Sequence, residues 1–230
     1  MYVSSSNKRR RKPKHPPNNG MTYHIREDIS IWHLHDHRST VHDWIVHPRA
    51  RPCIVVNHIE AFDDVEFSTT GGAHKIISTP NAGGNSIFSE AISFEILSFM
   101  CSAILRCTEM EISYMPGSKI TDFFVSADGH DFAVSVTRAM KYYNAKTGYL
   151  IFTEEDAYKL LNKKLNGVIE STHSVLSHTW DKQVLHVLVQ HEYMIDILWD
   201  VYERMIDERT KCNTLVMLSM CKGIPRIFSR

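Results

Sequence analysis

Ile120-Thr-Asp-Phe-Phe-Val-Ser126, followed by Asp128-Gly129 and Phe132-Ala-Val-Ser-Val-Thr-Arg138, decides the fold. Both long runs are rich in β-branched and aromatic residues, and the Asp-Gly between them favours a tight hairpin. Upstream, Glu109-Met-Glu-Ile-Ser-Tyr114 alternates polar and apolar residues as a half-buried strand should. Met115-Pro-Gly-Ser118 supplies the turn between it and the hairpin. The three runs predict an antiparallel meander.

Helices flank this meander. Gly83-Gly84-Asn85-Ser86 reads as a loop ending in two good N-cap residues, and an amphipathic pattern follows to about Leu105. On the other side, Thr153-Glu-Glu-Asp156 has the capping-box pattern and opens a helix to about Ser171. Lys182–Val189 then predicts a fourth strand, Glu192–Ile206 a helix and Thr214–Met220 a buried fifth strand. The order helix-strand-strand-strand-helix-strand-helix-strand implies an α/β fold. Its central sheet is mixed, antiparallel where hairpins join strands and parallel where helices intervene, with helices on its faces.

The outskirts read differently. Residues 1–20 hold six basic residues, no acidic ones and little to bury, which predicts a disordered basic tail suited to nuclear import or a loose phosphate contact. Residues 21–84 predict an irregular extension with short strands at Ile29–Trp32 and Cys53–Ile59, punctuated by Gly71, Gly72, Pro80, Gly83 and Gly84. Residues 85–230 form the α/β core domain. Without the tail, 20 basic residues face 26 acidic ones, so the body carries a net charge of −6. Nothing in that bulk charge asks for a nucleic-acid partner.

At 230 residues with 43% hydrophobic and 23% charged content, the chain suits one domain with a sizeable core. The most apolar stretch, Ile87–Leu105, contains Glu90 and Glu95, so no membrane span is expected. The basic N-terminus has no apolar run behind it, which argues against a secretory signal. Five cysteines without C-x-x-C spacing fit a reducing compartment, nuclear or cytoplasmic.

Candidate chemistry starts with Asp122, which shares strand parity with Ile120, Phe124 and Ser126 and so sits among partly apolar neighbours. It is either a structural Asp or a site carboxylate. Glu111 falls on the face of Glu109 and Ser113, a face that can be wet. On the helix after Thr153, Lys164 lies inside the stripe of Ala157, Leu160, Leu161, Leu165 and Val168, whereas Lys163 lies off it. Such a lysine either snorkels along the helix edge or reaches an acidic cluster such as Glu90 and Asp122. Ser135 and Thr137 share one strand face, where hydroxyls bind phosphate or position water, or simply tolerate half-burial. His33-x-His35-x-His37 puts three imidazoles on one face of an extended segment; with no acid or cysteine at defined spacing, scattered exposed histidine is the simpler reading. No P-loop, dinucleotide fingerprint, zincin or EF-hand motif is present.

The helix–strand–strand–strand–helix–strand order over about residues 85–190, with an acid in the first helix and Asp122 in the second strand, resembles the core of PD-(D/E)XK, or restriction-endonuclease-like, nucleases. The resemblance implies that Glu90, with Glu95 as second choice, and Asp122 hold Mg²⁺ or Mn²⁺. Glu111 is a further candidate metal ligand. The third-strand Glu-x-Lys of that superfamily falls at Ser135 and Thr137, which are neither, so Lys164 is the expected catalytic cation. Ser135 or Thr137 would orient water. The expected function is that of a divergent metal-dependent nuclease-like protein, which either cleaves nucleic-acid phosphodiesters weakly or has lost catalysis and binds a partner. The alternative is a non-catalytic protein-interaction module whose basic tail sets location.

Overall fold

The computed structural model describes residues 21–26, 29–33, 37–61, 70–81, 86–141 and 151–228. The basic tail and part of the histidine run lie outside the described residues. Eight strands form one mixed sheet: β1 (Met21–Arg26), β2 (Ile29–His33), β3 (Cys53–Ala61), β4 (Ile104–Thr108), β5 (Phe123–Ala127), β6 (His130–Ala139), β7 (Gln183–Val189) and β8 (Thr214–Lys222). Their spatial order is β1-β2-β3-β8-β7-β6-β5-β4. The middle four, β3, β8, β7 and β6, run parallel, and an antiparallel meander extends each side.

Both faces of the sheet are covered. Helices α1 (His37–Val46), α2 (Gly71–Ser78) and α3 (Ile87–Cys101) pack on one face. Helices α4 (Glu154–Ser174) and α5 (Glu192–Met205) pack on the other. A short α6 (Glu208–Lys211), capped by the Asp207 carboxylate, leads into β8. Burial on both faces explains why Val184–Val189 and Leu215–Leu218 read as nearly unbroken apolar runs. The chain is therefore α/β with a mixed central sheet flanked by helices. Among the described residues no helix is long and apolar enough to cross a membrane.

The order of elements from α3 onward follows the pattern read from the sequence, with three corrections. The strand expected over residues 109–114 is displaced: β4 ends at Thr108, and Glu109–Glu111 forms a 3-10 turn. Thr108 and Glu111 close a capping box there, and that local bonding wins over the polar–apolar alternation. Helix α3 stops at Cys101 rather than Leu105, because Ser102 turns left-handed at φ 53°. The strand expected from Ile120 starts at Phe123.

Residues 21–84 hold more structure than expected. The Arg38–Val46 stretch buries Val41, Trp44 and Ile45 at helical spacing. The glycines at 71 and 72 open α2 rather than a loop. Through β3, this part of the chain pairs directly with β8 and belongs to the same sheet. Gly72 is required by packing: a methyl group on it would sit 2.3 Å from the buried Phe94 ring. Gly72→Ala should therefore cost about 2 kcal/mol and lower the thermal midpoint, since a filled core yields only by distortion. A midpoint equal to wild type would show that the ring swings clear.

Candidate functional site

Helix α3 is apolar on nearly every side, so its first-turn Glu90 has no wet face to turn to. Glu90 is 2% exposed, and its Oε1 finds no hydrogen-bond partner. Burial holds its carboxyl above the usual range. A hydrogen bond from Ser86 works against that, Glu109 adds to it, and Arg138 and Lys164 oppose it.

Asp122 sits where β5 has stopped and β6 continues. The ladder between them ends at Phe123 opposite Val134, while β6 runs on to Ala139. The Asp122 carboxylate takes the place of the missing strand and accepts the Val136 N–H at 2.6 Å. The Asp122 N–H in turn donates to the Val134 carbonyl at 3.0 Å. Burial, with Glu90 as the second cause, pushes the Asp122 carboxyl up to about 7. The Val136 contact and Lys164 pull it down, and Glu109 raises it.

Lys164 is half-buried on α4 between the buried Leu161 and Leu165, while Lys163 is exposed. Its charge acts on both Glu90 and Asp122. The three side chains singled out as two acids and a cation thus feel one another's charge, although α3 and α4 pack on opposite faces of the sheet. Glu109 and Arg138 join the group, Arg138 also donating to the Ile227 carbonyl at 2.9 Å. Sequence reasoning passed over Glu109. The Thr108-x-x-Glu111 capping pattern was the signal that would have moved attention to it.

Glu111, expected as a further metal ligand, is held elsewhere. Its Oε2 accepts from the Lys75 amine at 2.8 Å and the Thr108 N–H at 2.8 Å, and these contacts hold its carboxyl below the usual range. It caps the 3-10 turn, outside the set of charges around Glu90 and Asp122. Ser135 is buried, its hydroxyl 3.4 Å from that of Thr121, which donates to the Val134 carbonyl. Thr137 is half-buried on the same face. His37 starts α1, so the histidine run does not continue as one extended face.

Among the described residues no three His, Cys, Asp or Glu side chains converge as a ready metal cage. Two carboxylates remain, one of them with an orphaned buried oxygen. That donor set fits Mg²⁺ or Mn²⁺, which take one or two carboxylates and complete their shell with water and substrate phosphate.

A second polar cluster lies deeper under α3. His186 of β7 is fully buried, with Nδ1 2.7 Å from the Ser93 hydroxyl and Nε2 2.8 Å from that of Ser219. Neither hydroxyl nor imidazole is reachable from solvent, so the arrangement is structural.

The fold is α/β with a mixed sheet, and Glu90 and Asp122 are its candidate site. The chain is similar to the AAC-rich mRNA clone AAC4 protein of Dictyostelium discoideum, with 41% identity over 170 residues. The match takes in 72% of this chain and only 25% of that protein's length, so the chain spans about a quarter of it. No family model matches the chain. No solved structure matches it.

Proposed function

We propose that the chain is a divergent, restriction-endonuclease-like nuclease that cleaves nucleic-acid phosphodiesters with Mg²⁺ or Mn²⁺. The observation that carries this reading is the shared electrostatic neighbourhood of Glu90, Asp122 and Lys164 at the point where β5 leaves β6. The topology supports it: α3, an antiparallel β4–β5–β6 meander, α4, then β7 parallel to β6.

Glu90 and Asp122 would hold the ion. When bound, it supplies Lewis acidity and a water of lowered pKa. The Val136 N–H fixes one Asp122 oxygen and thereby the direction of the other. Lys164, whose charge acts on both acids, would stabilise charge developing on the phosphate. Thr137, the more exposed of the two hydroxyls, orients water, while Ser135 is engaged with Thr121. Both acids must lose their protons to hold a cation, so cleavage should rise with pH through about 7.

The competing reading is a protein-interaction module in nucleus or cytoplasm. The absence of Glu-x-Lys at Ser135 and Thr137 and the net −6 of residues 21–230 favour it. A Mn²⁺-dependent cleavage assay on single- and double-stranded DNA and RNA separates them. Asp122→Ala should lose at least about 100-fold of the wild-type activity, the scale of removing one positioned electrostatic group. Equal activity in both proteins, or none in either, leaves the interaction module.

A further inference from the structure

A cleft of about 560 Å³ opens where the chain passes from α1 into β3, lined by Asp43, Trp44, His47, Arg49, Arg51 and Cys53. Its size is that of a small-ligand site. We propose that this cleft binds a phosphate group. The proposal is independent of the nuclease reading, because the two sites share no residue.

The cleft is built where α1 gives way to β3. The His47 N–H closes the last turn of the helix on the Asp43 carbonyl at 3.1 Å, and the Ala50 N–H bonds the His47 carbonyl at 3.0 Å. That turn sets Arg49 and Arg51 on the surface two residues apart, both exposed. Neither guanidinium has a hydrogen bond or ion pair among the described residues. Two unpaired guanidinium forks at one cleft match the geometry of a phosphate better than any other common anion.

Trp44 also lines the cleft. It is 3% exposed, and its Nε1–H has no partner. A buried donor without an acceptor costs about 1–3 kcal/mol, which a ligand would recover only by a shift that opens Nε1 to the cleft.

The carbonyl end of α1 would by itself repel an anion. Lys182 removes that obstacle: its amine donates to the carbonyls of Trp44, Ile45 at 2.8 Å and His47 at 2.6 Å. The ammonium also lies 5.2 Å from the Trp44 ring centre. With its helix end neutralised in this way, the corner carries Lys182, Arg49 and Arg51 against Asp43 and Asp181, a net positive charge.

The phosphate can be carried by a small molecule or by a nucleic-acid backbone. Calorimetric titration of the full chain with pyrophosphate, and separately with a twelve-residue oligothymidylate, distinguishes them. Arg49→Gln/Arg51→Gln, at exposed positions that leave the fold intact, should weaken binding at least tenfold. Trp44→Phe, with folding checked by thermal unfolding, should weaken it several-fold. Binding of pyrophosphate that the oligonucleotide fails to displace assigns a small phosphorylated ligand, and displacement assigns the backbone. The proposal is overturned if neither probe binds the wild type at millimolar concentration, or if the double variant binds as the wild type does.

Discussion

Replacing Asp122 with Asn should raise the free energy of unfolding at pH 8, with a chelator present, by up to about 4 kcal/mol. The folded-state carboxyl is pushed from 3.8 to about 7, first by burial and then by Glu90. A group whose pKa is raised in the folded state stabilises the fold fully below its unfolded pKa. That contribution is lost as pH rises through the folded value. Wild type therefore carries an expensive anion above pH 7, and Asn, which still offers an acceptor to the Val136 N–H, does not. Urea unfolding at pH 8, 6 and 4 should show the advantage of the variant shrinking and vanishing near pH 4. A difference that stays flat over that range would sink the account. The same variant should fail to support Mn²⁺-dependent cleavage, since a site that stores unfavourable charge commonly trades stability for function.

His186→Leu should behave in the opposite sense. Complete burial holds the imidazole at about 3, far below its ordinary value of 6.5, so the folded protein keeps it neutral. A depressed histidine pKa gives stability that is present above about 6.5 and lost as pH falls toward 3. From pH 7 to pH 4 that loss amounts to about 3 kcal/mol in the wild type. Leucine cannot titrate, but it abandons the hydroxyls of Ser93 and Ser219, at a cost of about 3 kcal/mol at neutral pH. The variant should thus be clearly weaker than wild type at pH 7.5 and nearly equal at pH 4. Chemical denaturation at the two pH values reads the difference directly, and other titrating groups cancel in it. A penalty of the same size at both would mean that the histidine takes up its proton within the fold.

Periodic elements were readable from the chain, and locally bonded ones were not. The Asp128-Gly129 hairpin, the capped α4 and the apolar β7 and β8 announce themselves through turn chemistry, capping and burial on both faces. Residues 109–111 deceive because Thr108-x-x-Glu111 looks like alternation while acting as a cap. The end of α3 at Ser102 uses a left-handed residue that is not glycine, so no composition signal marks it. Helices α1 and α2 hide for related reasons: one is dressed in histidines, the other opens on two glycines that ordinarily mean a loop. Of the candidate site, Glu90, Asp122 and Lys164 were visible because each breaks an apolar pattern. Glu109 breaks none, and only the three-dimensional turn carries it to the pair.

The placement of β8 between β3 and β7 governs how the molecule comes into being. A chain emerging from the ribosome completes β3 some 150 residues before its in-register neighbour exists. Until Thr214–Lys222 arrives, β3 and β7 each offer an unsatisfied edge to any passing strand. The last strand works as a keystone, and versions of the chain truncated before it should cling to chaperones and clump, not persist as half-sheets.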